Sequence, residues 1–169
     1  MICEIYIPPN SPVKRTLLLD RDNTLIKDEG YFHDKNGIVF LDNNFDYVEQ
    51  LNKSNIAVFL VSNQSGIGKG FFNLEDTFLV NRAISESWAS KGGILHGCLF
   101  CPHELERFCF CRKPSAAMLD MVISITGSKK SDCLFIGDSE VDSLAAENAG
   151  IPFLKAQKNG IRDLLQGWI

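Results

Sequence analysis

Five short runs of almost unbroken apolar residues punctuate this chain: Thr16 to Asp20, which ends in charge, Ile56 to Val61, Gly93 to Phe100, Cys133 to Gly137 and Ile151 to Leu154. Between them apolar residues recur at helical spacing: Phe45, Val48 and Leu51; Phe78, Leu79, Ile84 and Trp88; Met118, Met121, Val122 and Ile125; and Leu144, Ala145 and Ala149 ahead of Gly150. A strand that is apolar throughout must be covered on both faces, and helices alternating with such strands supply both covers. The pattern predicts a doubly wound α/β fold: a mainly parallel, Rossmann-like sheet with helices on both faces, in a single domain over residues 1–169.

In such a sheet ligands bind in the crevice beyond the carboxyl ends of the strands, so the polar residues that directly follow each apolar run are where chemistry is expected. Four segments qualify: Asp20-Arg21-Asp22, Ser62-Asn63-Gln64, Cys101 to Lys113, and Asp138 with Asp142. The connection from Asn23 to Asp42 carries Gly30 and Gly37 and is expected to form a flap, residues 23–42, over the crevice. Neither it nor residues 101–113 are long enough to fold alone, so no large cap domain is expected.

A formal net charge of −4 and a pI near 5.4 exclude a broad basic surface, and with it nucleic acid or anionic lipid as a partner. A phosphate ligand would need a local site. The chain is 45% hydrophobic and 22% charged with mean hydropathy −0.02, which excludes disordered, collagen-like and coiled-coil readings. Its apolar runs are too short to span a bilayer, and Met1 to Asn10 lacks the basic start and long apolar stretch of a signal peptide. A cytoplasmic monomer with no membrane partner is expected.

Asp20 and Asp22 lie two apart at a strand end, where extended geometry points both carboxylates to one side. Ser62 to Gly70 superficially suggests a nucleotide loop, but Asn63 stands where the P-loop needs Gly and Gly70 where it needs Ser or Thr. The dinucleotide fingerprint fails at Phe71. These glycines are therefore expected to turn the chain beside a phosphate. Cys101, His103, Cys109 and Cys111 supply three soft thiolates and one imidazole within eleven residues, the donor set of a tetrahedral structural Zn²⁺. With no open ligand position, that metal would shape a zinc loop over 101–113 and aim Arg112 and Lys113 into the crevice. Cys98, Cys133 and His96 read as packed residues, and His33 as solvent-facing.

Asp20-Arg21-Asp22-Asn23-Thr24-Leu25 resembles the first motif of haloacid dehalogenase (HAD) superfamily phosphatases, and Ser62, Lys113 and Gly137-Asp138-Ser139-Glu140-Val141-Asp142 follow in the order of the family's other motifs. The resemblance implies Asp20 as nucleophile, forming an aspartyl-phosphate, and Asp22 as general acid and base. It also implies a Mg²⁺ held by Asp20, the Asp22 carbonyl and Asp138, with phosphoryl oxygens held by Ser62, Lys113 and Arg112. Two readings of Asp142 stand side by side: a group that orients Lys113 or a metal-bound water, and a first-turn helix carboxylate favoured by the dipole.

Cys-x-His followed by Cys-x-Cys-Arg-Lys-Pro resembles one branch of the superfamily, the D-glycero-D-manno-heptose 1,7-bisphosphate 7-phosphatases and the related histidinol-phosphatases. Asp28-Glu29-Gly30-Tyr31-Phe32-His33 and Asn63-Gln64-Ser65-Gly66-Ile67 are similar to the heptose enzymes, while the five-residue gap between His103 and Cys109 resembles the histidinol branch. Asn23 departs from the Gly usual after the second Asp. Weighted toward the flap, the resemblance implies a small sugar bisphosphate as substrate. Asp28, Glu29, Gly30, Tyr31, Asn63, Gln64 and Ser65 would border the sugar, and Arg112 would hold the second phosphate or a hydroxyl. A zinc-stabilised binding module without turnover is the competing class, and would lack a nucleophile, acid or metal carboxylate; none is missing here.

Overall fold

Residues at odd and even positions of each central strand bury on opposite sides of one sheet. A computed structural model describes residues 1–10, 12–41, 46–105, 108–157 and 160–169, with only the backbone of Asp46, so Phe45, Asp42, Glu106 and Arg107 lie outside the described residues. Its strands are β1 (Ile2–Ile5), β2 (Arg15–Leu19), β3 (Ile56–Asn63), β4 (Gly97–Cys101), β5 (Cys133–Gly137) and β6 (Phe153–Lys155). The helices are α1 (Asp46–Lys53), α2 (Ser65–Gly68), α3 (Leu74–Ala89), α4 (Ala117–Thr126), α5 (Glu140–Ala149) and α6 (Arg162–Leu165).

Leu17 and Leu19 of β2, Val58 and Leu60 of β3 and Leu134 and Ile136 of β5 pack with Val48 and Leu51 of α1, Val80, Ile84 and Trp88 of α3 and Leu165 of α6. On the other face Leu18, Phe59, Val61, Cys133 and Phe135 pack with Met118, Leu119 and Val122 of α4 and Ala145, Ala146 and Ala149 of α5. Both faces are dry, as continuous apolar strands require. Helices α3 and α5 start at capping boxes, Asn73 with Asp76 and Ser139 with Asp142, and α4 and α5 end at left-handed Gly127 and Gly150.

The sheet order is β1-β4-β3-β2-β5-β6, with β2 to β6 parallel and β1 antiparallel to β4. The chain builds outward from β2 through β3 and β4, then returns to lay β5 on the other side of β2. Strand order therefore reverses between β2 and β5, the switch point at which a crevice opens. Leu19 is paired with Ile136, and Asp20 donates its backbone N–H to the Ile136 carbonyl at 2.9 Å, so the residues beyond β2 and β5 emerge side by side.

Three local differences from the sequence reading stand out. β1 was not expected: it is a four-residue edge strand with alternating, partial burial, too short and too polar to resemble the central runs. The third strand starts at Gly97 rather than Gly93, and the last covers 153–155 rather than 151–154, because the segments before them serve as loops. Among the described residues no helix is long and apolar enough to cross a membrane.

Candidate active site

Asp20 follows β2, Asp138 follows β5 and Asp142 lies in the first turn of α5, and one oxygen from each falls within 4.8 Å of the others. Lys113 enters this group from the far side. Its buried Nζ lies 2.6 Å from Asp20 Oδ1 and 2.6 Å from Asp142 Oδ1, and it donates to the Val61 carbonyl at 2.9 Å. The second Asp142 oxygen caps α5, accepting from Ser139 N at 3.1 Å and Ser139 Oγ at 2.5 Å. The two readings of Asp142 thus describe two oxygens of one carboxylate. Gly137 makes the approach possible, since a Cβ there would stand 2.6 Å from the Asp142 side chain.

Three carboxylates face one ammonium, and the electrostatics record the imbalance. Burial pushes the Asp20 carboxyl up to about 7, with Asp142 and Asp22 adding to the rise and Lys113 opposing it. Burial and Asp142 also raise Asp138. Burial works against the Lys113 charge, but Asp20 and Asp142 outweigh it and raise the ammonium above its ordinary value. An excess of hard, anionic oxygen donors on a few ångströms of surface fits a Mg²⁺-like cation, which takes carboxylates and keeps waters.

Asp22 points to a different set of partners. Arg21 Nε donates to its Oδ1 at 2.8 Å, and Gln64 Nε2 donates to its Oδ2 at 2.7 Å. Gln64 Nε2 also reaches Ser62 Oγ at 2.7 Å, and Ser62 Oγ stands 3.5 Å from Asp22 Oδ2. Asn63 holds the backbone of Lys113 from both sides, its Oδ1 accepting from Lys113 N at 3.0 Å and its Nδ2 donating to Lys113 O at 3.1 Å. The end of β3 therefore sets the position of the lysine.

Over these groups lies a crevice of about 460 Å³, walled by Asn23, Asp28, Gly30, Tyr31 and Phe32 on the flap side and by Leu105, Arg112 and Pro114 on the other. Asn23 has φ 56°, a left-handed value that Asn tolerates, so the turn survives without Gly. Asp28 Oδ1 accepts from Gly30 N at 2.6 Å and Phe32 N at 3.1 Å, folding the flap tip, and Lys69 donates to Tyr31 Oη at 2.7 Å. Ser65, opening α2, also lines the crevice.

Beside this wall, His103 Nδ1 lies 2.9 Å from Cys109 Sγ, which lies 3.2 Å from Cys111 Sγ and 3.5 Å from Cys101 Sγ. All four donors fall within 4.8 Å of one another. Tetrahedral zinc with Zn–S bonds of about 2.3 Å would space sulfurs by roughly 3.8 Å, so the quartet fits that ion with small adjustment. Cys101 ends β4 and Cys111 is buried, which roots the loop in the core, and Arg112 and Lys113 follow directly. Arg112 Nη1 donates to the His103 carbonyl at 3.1 Å.

The HAD-hydrolase-like family model matches residues 110–160, which include Lys113, Asp138 and Asp142. Over 155 residues the chain is 35% identical to D-glycero-beta-D-manno-heptose-1,7-bisphosphate 7-phosphatase of Pasteurella multocida, covering 88% of this chain and 84% of that protein. The chain belongs to the heptose bisphosphate phosphatase family of the HAD superfamily. The solved structure of D,D-heptose 1,7-bisphosphate phosphatase from B. bronchiseptica, complexed with magnesium and phosphate, matches this HAD phosphatase with a TM-score of 0.78 at 28% identity, over 90% of this chain and 87% of that one. The histidine biosynthesis bifunctional protein HisB of Legionella pneumophila is 33% identical over 150 residues, which span 86% of this chain but 42% of that protein.

In this HAD phosphatase one expectation about the sugar wall needs correction. Glu29 does not face the crevice; it is exposed and paired with Lys27 at 2.6 Å, because the Asp28 turn throws the next side chain outward. Gln64 lines the crevice as a buried side chain, its amide engaged by Asp22, Ser62 and Arg21. Gly66 and Gly68 of α2 serve close packing, since a Cβ on Gly66 would meet the Phe72 ring at 2.0 Å and one on Gly68 the Glu104 backbone N at 2.7 Å, while Gly70 turns the chain just beyond α2 with a left-handed φ of 73°. Arg21 was missed altogether. Its signal was present, since strand alternation turns the residue between two crevice carboxylates into the core, where a guanidinium must find partners.

Proposed function

We propose that this phosphatase hydrolyses the 7-phosphate of D-glycero-D-manno-heptose 1,7-bisphosphate through an aspartyl-phosphate on Asp20. The observation that carries the reading is Lys113 bridging Asp20 and Asp142 beside Asp138 at the switch point, in a chain whose relatives bear that name. An Asp20 oxygen attacks phosphorus as the ester P–O bond breaks, and Asp22 gives its proton to the departing sugar oxygen. Water then attacks phosphorus, Asp22 takes a proton back, and the Asp20–phosphorus bond breaks to release inorganic phosphate. Lys113, held by Asn63, balances charge on the phosphoryl oxygens together with Ser62.

Asp20, Asp138 and the Asp22 carbonyl would hold Mg²⁺, with Asp142 acting through Lys113; bound there, the cation neutralises phosphate oxygens during transfer. Cys101, His103, Cys109 and Cys111 would hold Zn²⁺, which keeps Arg112 and Lys113 in place. Asp28, Gly30, Tyr31, Asn63 and Ser65 border the sugar, and Arg112 meets the second phosphate. In this reading a monomer suffices, because one chain supplies every group named, and the enzyme acts in the cytoplasm on a small phosphorylated sugar.

Histidinol phosphate is the second reading, favoured by the similarity to HisB and by the five-residue spacing between His103 and Cys109. Mg²⁺-dependent phosphate release decides between them. Turnover of the heptose bisphosphate well above histidinol phosphate, abolished in Asp20→Asn, is expected; the reverse preference would move the assignment to the histidinol branch. Release from neither would leave a binding module. Arg112→Ala should raise KM for the bisphosphate more than for a heptose monophosphate.

A further inference from the structure

Arg21 is among the largest fully buried side chains, 1% exposed, and its Nε and Nη2 are turned toward the site. Nε donates to Asp22 Oδ1 at 2.8 Å and Nη2 to Asp22 Oδ2 at 3.1 Å, a two-pronged fork on one carboxylate. Nη2 also reaches the Phe32 carbonyl of the flap at 3.1 Å and Gln64 Oε1 at 2.9 Å, and Nη1 lies 3.4 Å from Asn81 Oδ1. Asn81 belongs to α3 and in turn donates to Glu4 of the edge strand β1 at 3.2 Å. The guanidinium is thus fixed from a loop, a strand end and a helix before it touches Asp22.

We propose that Arg21 is a positioning residue for proton transfer by Asp22. With Gln64 it sets the plane and depth of the Asp22 carboxylate, and through the Phe32 carbonyl it ties that carboxylate to the flap bordering the leaving group. The inference rests on Asp22 acting as the acid and base proposed above. A lysine cannot substitute, because an ammonium has no pair of parallel donors in a fixed plane to match the two carboxylate oxygens. A residue that only filled the core would affect every substrate alike.

The experiment therefore compares leaving groups. A sugar alkoxide needs a proton to depart and p-nitrophenolate does not, and kcat/KM reports the steps through formation of the phospho-enzyme. Arg21→Lys is expected to lower kcat/KM for heptose bisphosphate about 10- to 100-fold more than for p-nitrophenyl phosphate, the scale of loss from a misplaced acid. Histidinol phosphate serves equally as the alkyl ester. Asp22→Asn should show the same selectivity more strongly, and Arg21→Lys should add little on top of it. Equal losses on both esters in Arg21→Lys, beside a selective loss in Asp22→Asn, would overturn the inference and spare Asp22. Equal losses in Asp22→Asn would overturn both. Where circular dichroism shows Arg21→Lys unfolded, Asn81→Leu is judged by the same selectivity, an equal loss again overturning the role.

Discussion

Lys113 and Asp142 lie 2.6 Å apart although Asp142 also closes the capping box of α5 with Ser139, so the helix start, the lysine and the Asp20 carboxylate are directly linked. Removing the ammonium leaves Asp20, Asp138 and Asp142 facing one another. Lys113→Met should lower kcat about 10²- to 10³-fold, the usual loss for a deleted charge-stabilising donor. It should at the same time bind Mg²⁺ more tightly than the natural enzyme, since the cation no longer shares its carboxylates. Weaker binding by calorimetry would contradict this account of the charge balance.

Magnesium should stabilise the protein more at high pH. Burial raises the Asp20 carboxyl from 3.8 to about 7, so between these values the folded chain holds the proton that the unfolded chain releases. Stability from this group is complete below pH 3.8 and is lost as the pH rises through about 7. A divalent cation on the carboxylates reverses that loss. The rise in Tm on adding Mg²⁺ to EDTA-treated protein should be larger at pH 8 than at pH 5.5; an equal or smaller rise would count against Asp20 as a ligand.

His96 should give a stability change of the opposite sign. Burial lowers the imidazole below 6.5, and its Nδ1 accepts the Val58 N–H at 3.0 Å, a bond the protonated ring cannot accept. The folded value is the lower one, so this stability is present above pH 6.5 and lost as the pH falls through the folded value. At pH 8, His96→Leu should cost about 1–3 kcal/mol through the orphaned Val58 donor. By pH 5 the gap to the natural protein should narrow, measured by urea unfolding.

Zinc should be present at one ion per chain by elemental analysis. Cys109→Ala breaks the donor quartet without opening the core, because Cys101 and Cys111 are the buried ligands. The variant should lose the metal, melt at lower temperature and turn over more slowly, since Lys113 follows Cys111 by two residues. Full activity in a zinc-free protein would separate the loop from the site.

Gly68→Ala tests the packing of α2 against the zinc loop. Its Cβ would lie 2.7 Å from Glu104 N and 3.0 Å from the Pro102 carbonyl, both backbone, so the loop itself must move. A cost of about 1–3 kcal/mol with reduced kcat is expected. Gly167→Ala, with open space around its Cβ, should stay close to natural stability and serves as the control.

Much of the layout is carried by local pattern. Alternating buried faces along β2, β3 and β5, helical spacing between them, and metal-type donors within eleven residues depend on near neighbours in the chain, and each can be read without knowing the fold. The choice of partners is another matter. Arg21 meets residues 43 and 60 positions away, Lys113 spans 93 residues to Asp20, and the weakly patterned β1 is a strand only because β4 offers it an edge. Glu29 turns outward because of a turn closed by Asp28. The doubly wound alternation and the polar residues that follow each strand are legible in the chain alone, because burial periodicity is a short-range property. Which charge neutralises which, and what holds Asp22, emerge on folding, because those pairs arise where strand order reverses, and electrostatic partnership follows distance in space rather than along the chain.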